Sequence, residues 1–164
     1  MNEVEKIAFE RLKYNPETGV IVWSVARQGI RAGGIAGTMD TNGYRKIMLN
    51  RQYYGAHRIA WLLTYGAFPD GIIDHIDGDQ SNNCLSNLRL SNTSLNAANK
   101  KKPSTNTSGF KGVSLVKSTG KYAAYIKVNG KSMSLGTRFL TPEEAHEAYI
   151  SAARIHFGEH ARNA

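Results

Sequence analysis

The octapeptide Ile72-Ile73-Asp74-His75-Ile76-Asp77-Gly78-Asp79 joins a short apolar run to a dense group of polar side chains. The apolar start is typical of a strand, which ends by delivering a carboxylate and an imidazole at Asp74 and His75. The Asp-Gly-Asp segment that follows predicts a turn. Few structural needs require this combination, whereas a site that binds one hard metal ion and activates a water molecule does require it.

The residues after the turn predict how the chain returns to this strand. Leu88-Arg89-Leu90 has the pattern of a partner strand. Ser91 or Thr93 is expected to cap a helix that runs through Asn96 to the lysines at 100–102. The sequence therefore predicts a strand–loop–strand–helix unit.

In such a unit, Asp74 and Asn96 are expected to face each other and to supply two oxygen ligands. His75 lies on the other side of its strand, so it is left to act as a base. One carboxylate and one carboxamide without thiolates suit a single Mg²⁺ or Mn²⁺ ion. Cys84 is the only cysteine, which excludes a cysteine-cluster zinc site. An EF-hand calcium loop would need further ligands at fixed spacing, and they are absent.

The ordered set Asp74, His75, Asn87 and Asn96 resembles the HNH (ββα-metal) nucleases, and within them the homing enzymes of phages and introns. The resemblance implies that His75 activates the attacking water and that Asn87 holds the loop and orients the histidine. It also implies that Asp74 and Asn96 bind the metal. Asn83 matches a loop asparagine common in that branch, and we interpret it as structural.

Composition agrees with a nucleic-acid partner. The chain has 21 Lys and Arg against 13 Asp and Glu, a formal charge of +8 that suits a polyanion. A single cysteine fits a reducing compartment, and no signal-peptide or membrane-spanning pattern is present. We therefore expect a soluble intracellular protein. The resemblance to the homing branch implies a gene carried by a phage or an intron, and hence the cytoplasm of a bacterial host cell.

A lysine run followed by proline and small polar residues predicts a domain boundary at residues 100–109. We expect a nuclease domain over residues 1–102 with its ββα-metal core at about 72–101, a linker over 103–109 and a second domain over 110–164. Lys100, Lys101 and Lys102 form either a solvated helix end or a tether along DNA phosphates. The two interpretations are compatible.

The second domain is predicted to be a three-stranded antiparallel sheet covered on one face by a helix. Strand-like runs occupy residues 110–117, 121–128 and 131–137, and Asn129-Gly130 is a strong hairpin signal. Thr141-Pro142-Glu143-Glu144 predicts the start of an amphipathic helix, which should end at Gly158.

This pattern over residues 106–161 resembles the plant APETALA/ethylene-response-factor DNA-binding domain, although Tyr122 stands where the plant proteins favour tryptophan. The resemblance implies that the bare sheet face binds duplex DNA. That face carries Lys121, Tyr125 and Lys127, and Lys111 is a further candidate contact. The alternative is a solvated, lysine-rich strand.

The N-terminal region is predicted to mix helices and strands, which makes the whole chain α+β. A short helix is expected around residues 4–12, strands at 20–23 and 44–50, and a second helix through 57–63. Trp23, Trp61 and Leu62 are core candidates. His57 is interpreted as a buried scaffold residue rather than a catalytic one.

Together these features predict a metal-dependent HNH endonuclease of the homing type. The resemblance implies hydrolysis of double-stranded DNA to 5′-phosphate and 3′-hydroxyl ends. Because one chain carries one site, we expect the protein to nick rather than to cut both strands. We expect a monomer, with no membrane and no small-molecule substrate. The competing hypotheses are a non-catalytic DNA-binding regulator built on an HNH scaffold and a nuclease directed at RNA.

Overall fold

A computed structural model of the chain describes residues 1–26, 29–100 and 102–161. Across these residues the structure is mixed α+β, with four α-helices and several small antiparallel sheets, which confirms the predicted fold class. The chain divides into two compact units, Met1–Ser91 and Asn92–Ala164, and each is described by itself. Within the described residues, none of the helices has the length and apolar character needed to cross a membrane.

In the described part of the first unit there are two helices, seven short strands and a 3₁₀ turn at Leu85–Asn87. In chain order its elements are α1 (Glu3–Arg11), β1 (Leu12–Tyr14), β2 (Ile21–Trp23), β3 (Thr38–Met39), β4 (Arg45–Leu49), β5 (Gln52–Gly55), α2 (Ala56–Tyr65), β6 (Ile72–His75) and β7 (Leu88–Ser91). The strands pair as β1–β2, β3–β4–β5 and β6–β7, all antiparallel.

The core of the first unit forms where α1 and α2 bury apolar side chains against the inner face of β4. Ile47, Leu49 and Leu62 are almost completely buried there, and Trp23 is 5% exposed. Trp61 packs against this core and is partly buried. The predicted core residues are thus confirmed, and the helices owe their stability mainly to this packing because both are short.

The β6–β7 hairpin follows the predicted strand boundaries closely. Asp74 is paired with Arg89 and His75 with Leu88, so the two polar residues at the end of β6 lie opposite residues of the Asn-Leu-Arg segment. Both Asp74 and His75 are 4% exposed. Burial of two polar residues in sequence requires that each has hydrogen-bond partners.

The second unit contains α3 (Thr93–Asn99), β8 (Val113–Val116), β9 (Lys121–Val128), β10 (Lys131–Phe139) and α4 (Pro142–Phe157). Its sheet has the order β10–β9–β8, and α4 packs on one face through Ala145, Tyr149 and Ala153. The predicted three-stranded sheet with one helix is therefore confirmed. The capping box of Thr141 and Glu144 is also present.

Four details differ from the sequence prediction. The first strand spans only residues 113–116, and the third extends to Phe139. The cap of α3 is Asn92 rather than Ser91 or Thr93, because its side chain accepts hydrogen bonds from the amides of Ser94 and Leu95. The helix α3 also falls in the second unit, where Ala98 joins the core, whereas the sequence predicts it as part of the nuclease domain.

Candidate active site

The imidazole of His75 is held by a hydrogen bond at the end of β6. Its Nε2 lies 3.2 Å from the side-chain Oδ1 of Asn83. The amide nitrogen of Asn83 donates to the carbonyl of Ser81 at 3.1 Å, which turns Oδ1 towards the ring. Because Oδ1 can only accept a hydrogen bond, this contact favours the tautomer in which Nε2 carries the proton and donates to Asn83. A neutral imidazole has one donor and one acceptor, so Nδ1 is the basic nitrogen of His75.

Asn83 is positioned by the turn between β1 and β2. The hydroxyl of Tyr14 donates to the carbonyl of Asn83 at 2.8 Å, and burial raises the pKa of Tyr14 to about 12, so this donor stays protonated. Gly19 has φ +71°, and a Cβ there would lie 2.5 Å from the carbonyl carbon of Asn83. This close approach requires glycine. The structural role predicted for Asn83 did not include this contact with the candidate base, because Asn83 and His75 are eight residues apart and meet only through the fold of the loop.

Asn87 holds the loop between β6 and β7. Its Oδ1 accepts from the amide of Asp77 at 3.0 Å, and its Nδ2 donates to Asp77 Oδ1 at 2.9 Å and to the carbonyl of Asn82 at 2.8 Å. These bonds fit the loop-holding part of its predicted role. The side chain that accepts the hydrogen bond from Nε2 of His75, as described above, is that of Asn83.

Asp74 forms a buried ion pair with Arg89 across the hairpin. Arg89 Nε and Nη2 donate to Asp74 Oδ2 at 3.0 Å and 2.9 Å. The side chains are only 16% and 5% exposed, so little solvent screens the pair. Asp74 was predicted as a site residue, but its partner Arg89 was not. The expected pairing of the two strands could have identified Arg89, because residues opposite each other in an antiparallel hairpin are close.

Two further rings pack against His75. The ring centroids of His57 and His75 are 5.3 Å apart, in an edge-on arrangement. The ring centroid of Tyr44 lies 5.5 Å from that of His57 and 6.0 Å from that of His75. Burial lowers the pKa of His57 to about 4, with smaller contributions from His75 and Arg58. His57 is therefore neutral near pH 7. It was interpreted as scaffold, and the structure places this scaffold directly beside the candidate base.

The remaining predicted site residues lie in the second unit, apart from Lys101, which is outside the described residues. Asn96 lies half-buried on α3, while Lys100 and Lys102 are exposed. On β9, Lys121 is half-buried, and Tyr125 and Lys127 are exposed. Ala123, between them on the face expected to be bare, is fully buried. A short side chain is easily shielded by longer neighbours.

Lys111 has a structural partner. Its ammonium donates to the carbonyl of Ala98 in the last turn of α3. A cation at this position satisfies a terminal helix carbonyl and opposes the negative end of the helix dipole. A DNA contact by Lys111, as predicted from the sequence, would have to share or replace this bond.

Comparison with known proteins agrees with this geometry. Residues 54–98 match the HNH endonuclease family, a range that includes His57, Asp74, His75, Asn87 and Asn96. Protein 3.8 of Escherichia phage T7 is 38% identical over 94 residues, which cover 55% of this chain and 78% of that protein. The chain therefore contains an HNH endonuclease domain and belongs to the family of this phage protein.

One solved structure, which describes DNA binding and cleavage by the HNH homing endonuclease I-HmuI, also aligns with this chain. The TM-score is 0.41 at 17% sequence identity, and the alignment covers 84% of this chain and 76% of that one.

The substitution Gly55→Ala tests the packing of His57. A Cβ at position 55 would lie 2.6 Å from Cε1 of the His57 ring. Overpacking of this kind costs about 1–3 kcal/mol, so we expect a lower melting temperature in circular dichroism. His57→Ala removes the obstacle. Gly55→Ala should therefore cost much less in that background, and strictly additive effects would contradict the packing.

The pH dependence of stability tests the neutral state of His57. The native pKa is about 4 against 6.5 for an ordinary histidine. Between these values the unfolded chain binds a proton that the native protein excludes, so native stability falls as the pH drops from 6.5 to 4. The full shift corresponds to roughly 3 kcal/mol. Denaturant unfolding should show that His57→Phe loses less stability than wild type over this window. Parallel curves would contradict the lowered pKa.

Proposed function

We propose that this protein is a metal-dependent DNA endonuclease that cuts one strand per binding event. The observation that carries the proposal is the state of His75. It is a buried imidazole at the end of β6 whose Nε2 lies 3.2 Å from the acceptor Oδ1 of Asn83, and this contact favours the neutral tautomer with the proton on Nε2 and the lone pair on Nδ1. A general base needs a defined tautomer and orientation, and this arrangement supports both.

In the proposed reaction, Nδ1 of His75 removes a proton from a water molecule that attacks phosphorus. The attack is in line with the P–O3′ bond, which breaks as the new P–O bond forms. The 3′-oxygen takes a proton from solvent water and becomes the 3′-hydroxyl, and the phosphate stays on the 5′ end. The hydrogen bond to Asn83 keeps the ring in place while it gains the proton. Because the neighbouring His57 is neutral, it adds no positive charge against the imidazolium that forms.

The donor chemistry fits a hard divalent cation. Asp74 contributes a carboxylate and Asn96 a carboxamide, both oxygen donors, and we propose these two residues as the ligands of one Mg²⁺ or Mn²⁺ ion. Among the described residues, no group of three or more His, Cys, Asp or Glu side chains is placed to hold a metal. Most of the coordination would then come from water and phosphate. The bound ion would stabilise negative charge on the phosphate and the leaving oxygen.

Arg89 is hydrogen-bonded to Asp74, the proposed carboxylate ligand. It fixes Oδ2 of Asp74 through two hydrogen bonds and balances the charge of this buried carboxylate. A rigid carboxylate is oriented before the cation binds, as is usual where an outer partner holds a metal ligand. We therefore propose that Arg89 orients Asp74.

We propose that the second unit holds the substrate. Its three-stranded sheet and single helix have the arrangement expected of an APETALA/ethylene-response-factor-like domain, and the exposed Tyr125 and Lys127 lie on the face away from α4. The net charge of +8 supports duplex DNA as the partner. The relative from a phage supports action inside a bacterial host cell, and we propose a monomer.

Plasmid cleavage with His75→Ala tests the nuclease. Wild-type protein with Mg²⁺ should convert supercoiled plasmid to open circles well before linear DNA appears, and a chelator should stop the reaction. His75→Ala should lose about 10²–10⁴-fold in rate and still bind DNA, because removal of a general base has this effect. His156→Ala is the control, since His156 is exposed on α4.

A folded His75→Ala protein that cleaves at the wild-type rate would refute the catalytic role. A wild-type protein that binds plasmid but never nicks it would favour the non-catalytic regulator. Faster cleavage of RNA than of duplex DNA would favour the RNA-directed hypothesis.

A Mg²⁺ titration tests the ligands. Asp74→Asn should abolish cleavage, because it removes the only carboxylate of the proposed pair. Asn96→Ala should slow cleavage and raise the Mg²⁺ midpoint, because one oxygen donor is lost. Asn92→Ala is a matched asparagine control, as Asn92 caps the same helix. An unchanged rate and midpoint in Asn96→Ala would exclude this residue as a ligand.

A further inference from the structure

The hairpin between β4 and β5 has an unusual turn. Both of its central residues, Asn50 and Arg51, have positive φ, at 47° and 63°. This is the backbone of a two-residue hairpin turn, in which asparagine followed by glycine is the favoured pair. Asparagine accepts the left-handed conformation, whereas arginine is strained there. The sequence therefore keeps an arginine at an exposed position where glycine would fold better.

The outer face of the same hairpin is apolar near the turn. Met48 and Tyr53 are directly paired across the strands, and they are 43% and 62% exposed. Strand alternation places Lys46, Met48, Tyr53 and Gly55 on this outer face, and Tyr44 directly precedes β4. We call this set, together with Arg51, the hairpin surface.

The hairpin surface is continuous with the candidate active site. Tyr44, at its inner end, contacts the rings of both His57 and His75. The ring of His57 covers Gly55, the last residue of β5. From the candidate base the surface thus runs outward over Lys46 and Gly55, then over Met48 and Tyr53, to Arg51 at the tip.

Three other charged groups belong to this region. The ammonium of Lys46 is paired with Asp40 at 2.8 Å, and Glu3 accepts a hydrogen bond from Asn50 at 3.2 Å. The cationic group that the turn itself presents is Arg51. A strained arginine beside an exposed aromatic and a methionine is a combination that suits a DNA groove, where arginine approaches phosphates and apolar side chains contact bases or sugars.

We propose that the hairpin surface binds the duplex that flanks the scissile phosphate, with Arg51 as the outermost contact. The inference rests on the proposed nuclease function and adds a substrate-binding surface to it. A strand advances about 3.3 Å per residue, so Arg51 lies roughly 13 Å beyond Gly55. At 3.4 Å per base pair this corresponds to about four base pairs of flanking DNA.

Arg51→Gly separates binding from folding, because the two effects have opposite signs. Glycine relieves the strained φ, so the variant should melt at or above the wild-type temperature. Its affinity for a random-sequence 30-base-pair duplex should fall about tenfold, and the slope of log affinity against log salt should fall by about one. Arg51→Asn should behave in the same way, because asparagine also tolerates this backbone.

The control is Lys13→Ala, which removes one exposed positive charge from β1 of the same unit. It should change affinity much less than Arg51→Gly. Equal losses would mean that only total charge matters, and an Arg51→Gly affinity equal to wild type across the salt series would refute the contact. Either result overturns the proposal.

The paired apolar residues need a second test, because such a face also suits a second copy of this chain. Met48→Thr with Tyr53→Thr should lower DNA affinity and leave the sedimentation coefficient unchanged, and Phe9→Ser is a control for an exposed apolar side chain. A photo-crosslinking amino acid in place of Tyr53 should crosslink to the duplex. Crosslinking only to another protein chain would overturn the proposal in favour of a dimer interface.

These binding measurements use the full chain with His75→Ala, so they do not depend on cleavage. If Arg51→Gly binds DNA as tightly as the protein without this substitution, and wild-type protein nicks plasmid normally, only the hairpin surface is refuted. A wild-type protein that binds through the hairpin but never nicks would refute only the nuclease.

Discussion

The hydrogen bond from His75 Nε2 to Asn83 Oδ1 is the constraint around which the candidate site is built. A buried imidazole is chemically ambiguous until one nitrogen has a fixed partner, because either nitrogen can carry the proton. Asn83 removes the ambiguity, and its own amide is fixed by Ser81. Tyr14, the last residue of β1, donates a hydrogen bond to the backbone carbonyl of Asn83. Residues almost 70 positions apart thereby determine which nitrogen of His75 is basic.

The surroundings of His75 combine an ion pair with neutral rings. Arg89 balances the buried charge of Asp74, whereas His57 is kept neutral by burial. A second charged histidine would oppose protonation of His75, so a neutral ring is the better neighbour for a base. The close approach of His57 to Gly55 shows that this packing leaves no space for a larger residue at the end of β5.

The first unit also illustrates how local strain points to function. The β4–β5 turn would be relaxed by glycine, yet it carries Arg51 with φ 63°. The hairpin between β9 and β10 has the same kind of turn and uses the favoured pair, Asn129 and Gly130, both at positive φ. The chain thus contains a relaxed turn of this kind at Asn129 and Gly130 and a strained one at Asn50 and Arg51. The strained one lies on the sheet whose outer face leads to His75.

Local patterns in the sequence determined the elements, and tertiary contacts decided the chemistry. The strand ending at His75, its partner strand, the Asn-Gly hairpin and the capping box of α4 were predicted because each depends on neighbouring residues. The ordered asparagines and the Asp-His pair also indicated the HNH class. The roles of Asn83, His57 and Arg89 were not predicted, nor was the membership of α3 in the second unit. Those features depend on which distant segments pack together, and hydrophobic periodicity along one segment carries no information about a partner far away in the chain.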